Sequence, residues 1–115
     1  MSEQENIKAA HAFFSAWNAG DLNKSDPGPR ERREIWQKVF PPQTPVETTD
    51  KKEKLDWERL ARFNLTGGNI HAIALNAAFI AAARGTPVTM SLVLQATRTE
   101  MRKLEKPINE ADFRR

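Results

Sequence analysis

The residues of this sequence that could do chemistry are two histidines, several close carboxylate pairs, and a pair of glycines ahead of an apolar stretch. Histidine binds metals and carries protons near neutrality, but His11 and His71 stand far apart and form no sequence-local ligand pattern. Cysteine is absent, which removes a disulfide framework, a thiolate metal site and a cysteine nucleophile together. The carboxylate pairs, such as Glu31/Glu34, lie beside arginines and read as surface salt-bridge partners. A phosphate-binding loop needs Gly-x4-Gly-Lys-Ser/Thr, and none of the five glycines precedes a lysine. There is no Gly-x-Ser-x-Gly elbow and no apolar strand ending in an acidic pair that could hold magnesium. Thr66-Gly67-Gly68-Asn69 remains. Glycines let a backbone approach a flat ring closely, and the start of the following helix offers free N–H donors and a partial positive charge. The expectation is a binding feature with no catalytic residue and no metal site.

At 115 residues the chain fits one small domain, too short for a complete nucleotide hydrolase or dehydrogenase. With 29% charged residues and a mean hydropathy of −0.65, it is neither membranous nor disordered in composition. The formal charge is +3, with a pI near 9.5. Basic residues are mostly interleaved with acids, as in Arg30-Glu31-Arg32-Arg33-Glu34 and Lys51-Lys52-Glu53-Lys54. Such runs read as solvated helix faces more readily than as phosphate-binding stripes, so nucleic acid is not the expected partner. Glu3 and Glu5 open the chain with no apolar signal region after them, and the longest apolar stretch, residues 70–83, is too short to span a bilayer. The expected setting is the cytoplasm, without membrane contact.

Apolar residues recur at helical spacing almost throughout. A first amphipathic helix is expected over 4–19, ended by Gly20, with a turn-rich connector to Pro29. A second runs over 30–40, burying Ile35, Trp36 and Val39 and stopped by Pro41-Pro42. Residues 41–54 read as a loop, the most mobile part of the interior. Asp56 can cap a third helix through Phe63, with Leu55 and Leu60 as a hydrophobic staple. The central, most apolar helix is expected from Asn69 to Arg84, entered by the Thr66–Asn69 turn and closed by Gly85. Thr89 then caps a final helix to about Lys106, ended by Pro107, with a short acidic turn from Asn109 to Phe113. Trp36 and Trp57 read as packing anchors whose indole N–H groups reach the boundary of the core. The fold class is all-α: four helices from residue 30 onward and one additional amphipathic helix before them.

One ordered set of segments goes further. It comprises Arg33-Glu34-Ile35-Trp36-Gln37-Lys38-Val39-Phe40, then Leu55-Asp56-Trp57-Glu58-Arg59-Leu60-Ala61, then Leu65 through Ala78, then Val88-Thr89-Met90 and the helix carrying Arg98 and Arg102. Over about residues 27–113 this resembles the small C-terminal lid domain of AAA-type ATPases. That family carries an R-x-E-I-h segment, a D-h-x-x-L-A helix, a G-[AG]-[DN]-[IL] turn before an alanine-rich helix, and a last helix opened by h-T-x. The resemblance implies a four-helix bundle over 30–115, with 1–29 as a separate helix and connector. It also implies a non-catalytic module that covers ATP bound on a separate α/β core and couples hydrolysis to ring motions. Carried over by motif, the nucleotide-facing positions are Ile35 and Val39 on the first lid helix and Gly67, Gly68 and Asn69 at the turn. ATP is implied only together with an ATPase core, and the implied partners are that core or ring subunits. His71, in the first turn of the central helix, departs from the arginine that many relatives carry there, so no charged phosphate sensor is implied at that position.

Residues 9–22 instead resemble the opening helix of SnoaL-like, nuclear-transport-factor-2-like proteins, but no sheet-forming segments follow. Two alternative functions accompany the lid: a helical protein-interaction module, and a remnant of a SnoaL-like small-molecule protein.

Overall fold

A computed structural model describes residues 27–40 and 43–114. The helix expected over 4–19, its connector and the likeness of residues 9–22 lie outside the described residues. Among the described residues there are four α-helices and no strand: α1 (Pro29–Val39), α2 (Trp57–Ala61), α3 (Gly67–Arg84) and α4 (Met90–Lys103), followed by a 3-10 turn, Glu110–Phe113. The all-α class follows.

Each helix begins at a local start signal. Pro29 occupies the first position of α1, where a missing N–H costs nothing. Asp56 Oδ1 accepts from Arg59 N at 3.1 Å to start α2, and Thr89 Oγ1 accepts from Leu92 N at 3.2 Å to start α4. The helix ends are equally specific. Phe40 is extended, as a residue before proline is driven to be. The end of α3 is a Schellman closure: Gly85 takes φ +69°, while Gly85 N and Thr86 N donate to the Ala82 and Ala81 carbonyls.

Three boundaries differ from the sequence reading by two residues or more. Helix α2 ends at Ala61, not Phe63, because Arg62 N and Phe63 N donate to carbonyls three residues back, tightening the last turn. Helix α3 begins at Gly67, two residues early, so the glycines are its first two residues. Helix α4 ends at Lys103, before Pro107 can act: Glu105 turns left-handed at φ +57°, and Lys106 N returns to the Met101 carbonyl.

Helix α3 packs against both α1 and α4, while α2 packs on α1. The core joins Ile35, Trp36 and Val39 of α1, Leu60 of α2, Ile70 and Ile73 of α3 and Val93 of α4. Leu55 and Leu60, the staple pair, are both buried. Alanines at 74, 77, 78, 81 and 82 are buried along α3 and allow the helices to approach closely. Residues 43–54, expected to be the loosest part of the interior, are tied down instead. Val46 and Val88 form an isolated parallel bridge, with Glu47 N donating to Val88 O at 2.9 Å and Val88 N to Pro45 O at 2.8 Å. Met90 N donates to Glu53 O, and Ser91 Oγ to Glu53 Oε1, both at 2.8 Å.

Two polar features were not foreseen. Trp36 is fully buried, and its indole N–H finds no partner among the described residues, so it does not reach the boundary of the core as expected. Trp57 remains half-buried, its ring tilted against Phe40 at 6.4 Å. Arg32, within a run that reads as solvated, is 8% exposed. Its Nε donates to Ala61 O at 2.8 Å and a terminal nitrogen to Pro27 O at 2.7 Å. It thereby closes the carboxyl end of α2 against the start of α1.

Candidate functional site

The five residues assigned by resemblance divide between the core and a helix end. Ile35 and Val39 lie on the buried face of α1, 8% and 0% exposed, in one cluster with Ile70 and Ile73 of α3. Gly67 is buried, while Gly68 and Asn69 are half-buried at the start of α3. Packing of α1 on α3 therefore joins both groups through the core.

The amino end of α3 is a reciprocal capping box. Thr66 Oγ1 accepts from Asn69 N, and Asn69 Oδ1 accepts from Thr66 N, both at 3.1 Å. Ile70 N makes the first intrahelical bond, to Thr66 O at 3.0 Å. Two of the first helical donors, the amides of Gly67 and Gly68, have no hydrogen-bond partner among the described residues. They point along the helix axis at the positive end of the α3 dipole. Asn69, in contrast, commits its side-chain oxygen to the box, so its contribution to a ligand is reduced to holding the two glycines in place.

Because α3 starts at Gly67, His71 is its fifth residue and lies in the second turn, not the first. It is half-buried. Burial lowers its pKa below the ordinary imidazole value, which leaves the ring neutral at physiological pH. A cationic phosphate contact at this position is thus disfavoured by burial as well as by residue type.

The expected surface pairing with neighbouring arginines does not form at Glu34. Glu34 makes no ion pair among the described residues. Ion pairs do join Arg33 to Glu58, linking α1 to α2 at 2.6 Å, and Arg98 to Glu110, linking α4 to the terminal turn. Among the described residues no cluster of histidine, aspartate and glutamate could hold a metal ion, and no helix is long and apolar enough to cross a membrane.

Compared with known proteins, the chain matches no family model, no curated protein and no solved structure. The residues and their geometry therefore carry the functional reading.

Proposed function

We propose that this chain is the helical lid module of an AAA-type ATPase, a non-catalytic four-helix bundle that lies over ATP held by a separate core and passes hydrolysis on to ring subunits in the cytoplasm. The observation that carries the reading is the pair of amides at Gly67 and Gly68, unpartnered among the described residues and set by the Thr66–Asn69 box at the positive end of α3. Such an end favours an electron-rich or anionic group, and two glycines let a flat ring come close. Within this reading Ile35 and Val39 act from behind, fixing the angle of α1 on α3. Val39, with no exposure, supports the site and does not touch the nucleotide.

The module has no phosphate-binding loop, so its own contribution to ATP affinity is small. Titrating the 15N-labelled chain with millimolar ATP is expected to shift the Gly67, Gly68 and Asn69 amides without saturating and without release of phosphate. Unmoved amides at these three positions, or phosphate release by the isolated chain, would overturn the assignment.

A further inference from the structure

Charges that alternate along the sequence are sorted in space. Asp50 accepts from the amides of Lys52 and Glu53, Glu53 holds Ser91, and Asp56 caps α2. Nearby backbone amides thus engage Asp50 and Asp56, and the Ser91 hydroxyl engages Glu53. The cations between them stay outward: Lys51 and Lys54 are exposed and form no ion pair among the described residues. Arg30 and Arg62, on α1 and just after α2, are exposed and equally unpaired.

These cations surround two adjoining clefts. One, of 540 Å³, lies between residues 51–54 and α2 and includes Trp57 and Met90 in its wall. The other, of 600 Å³, lies between the start of α1 and the end of α2 and includes Arg30 and Arg62. Arg33 and Glu58 belong to both, so their exposed ion pair is the ridge between the clefts. Eight basic side chains and two acidic ones line the pair of clefts, and both acids are already engaged.

We propose that this double cleft binds single-stranded nucleic acid, with phosphates on Lys51, Lys54, Arg30 and Arg62 and a base against the Trp57 ring. The alternative occupant, an acidic protein segment, is the less favoured because carboxylates alone leave the Trp57 ring in the cleft wall unused, and two of the arginines that could grip a carboxylate with two hydrogen bonds are occupied. Arg33 holds Glu58, and Arg59 donates to the backbone carbonyls of Asp112 and Arg114. What remains free includes flexible lysine point charges beside an aromatic ring, a combination suited to a backbone of diffuse negative charge with stackable bases. The inference does not depend on the lid assignment, since none of its residues lies at the amino end of α3.

Fluorescence anisotropy of a labelled oligothymidylate with the full chain tests it. Four neutralised phosphates give a log–log salt slope of about −2.8, hence roughly fifty-fold weaker binding at 200 mM than at 50 mM salt. The K51E/K54E and R30E/R62E double variants, all at exposed positions, are each expected to lose more than about ten-fold in affinity while keeping the wild-type circular dichroism spectrum. Trp57→Phe is expected to bind more tightly than Trp57→Leu, since only the former keeps a stacking face. Absence of binding at 50 mM salt overturns the proposal, as does unchanged affinity in both charge variants. Competition by polyglutamate as effective as by unlabelled oligothymidylate assigns the cleft to an acidic protein instead, and a duplex that binds as well as a single strand removes the role of Trp57.

Discussion

Two arginines hold two parts of this molecule together, and their surroundings make them unequal. Arg32 sits in the interior between α1 and α2, where both of its hydrogen bonds go to backbone carbonyls. Arg98 sits at the surface of α4, where it grips Glu110 with two bonds of 2.6 and 2.8 Å and lies 4.5 Å over the Phe113 ring. Arg98 has the better counter-ion and the richer set of contacts. Even so, water competes for everything it touches, and exposed ion pairs add little to stability. Arg32 has no acidic partner among the described residues, but the carbonyls it serves are buried and would otherwise stay unsatisfied. Burial decides which arginine the fold depends on.

The largest expected effect follows directly. Arg32→Ala leaves the Pro27 and Ala61 carbonyls without their donor and removes a packed aliphatic stem, a loss of about 3 kcal/mol. Urea unfolding followed by circular dichroism would show it as a lower midpoint with an unchanged slope. A loss below about 1 kcal/mol, the range of a surface residue, would dissolve the contrast between the two arginines. A smaller change of opposite sign is expected nearby. Thr44 is buried, and its hydroxyl finds no partner among the described residues. Thr44→Val removes an unpaid desolvation cost and is expected to stabilise by about 1 kcal/mol, visible as a raised melting temperature.

Much of this arrangement was legible in the sequence, and the parts that were not share a cause. Asp56, Thr89 and Gly85 announced helix ends because their effect is local: a short side chain caps its own helix, and a glycine accepts a left-handed φ. Ile35, Val39, Ile70 and Ile73 announced the core by their period. Arg32 was obscured by its company, one cation in Arg30-Glu31-Arg32-Arg33. The signal was present all the same, since 32, 35, 36 and 39 share one helical stripe with Ile35, Trp36 and Val39. The position of Gly67 and Gly68 was misjudged because glycine reads as a turn, whereas the Thr66–Asn69 box recruits both into the helix and leaves their amides pointing outward. The double cleft was illegible for a deeper reason. Whether interleaved charges cancel depends on which of them are held elsewhere, and Ser91 holds Glu53 only once residues 43–54 have folded back on α4.

The C-terminal segment offers a finer test of the same contrast. After α4 the chain reverses at Glu105 in a left-handed conformation, which is costly for a residue with a Cβ. Glu105→Gly relieves that strain and is expected to stabilise by roughly 0.5 kcal/mol, the relief being partly offset by the greater freedom of glycine in the unfolded chain. Slower amide exchange at Lys106 would report the firmer reversal.

The smallest effect on global stability is expected at the Arg98–Glu110 pair, and pH separates its local role from its global one. The hydrogen bond from Arg98, with help from nearby positive charge, holds the Glu110 carboxyl below the ordinary glutamate value. A carboxylate whose folded-state pKa is depressed adds stability above its unfolded-state value, near 4.3, and loses it as the pH falls through the folded-state value. The segment should therefore be fully held at neutral pH and released only on acidification below the ordinary glutamate range. On release, Phe113 leaves the Phe63 ring, which it meets at 5.2 Å, and the ring-proton shifts of both residues should move together. Arg98→Ala at pH 7 should reproduce that acid spectrum while the urea midpoint stays at the wild-type value. If the midpoint instead falls as far as in Arg32→Ala, the surface segment is part of the cooperative core, and burial is not what separates the two arginines.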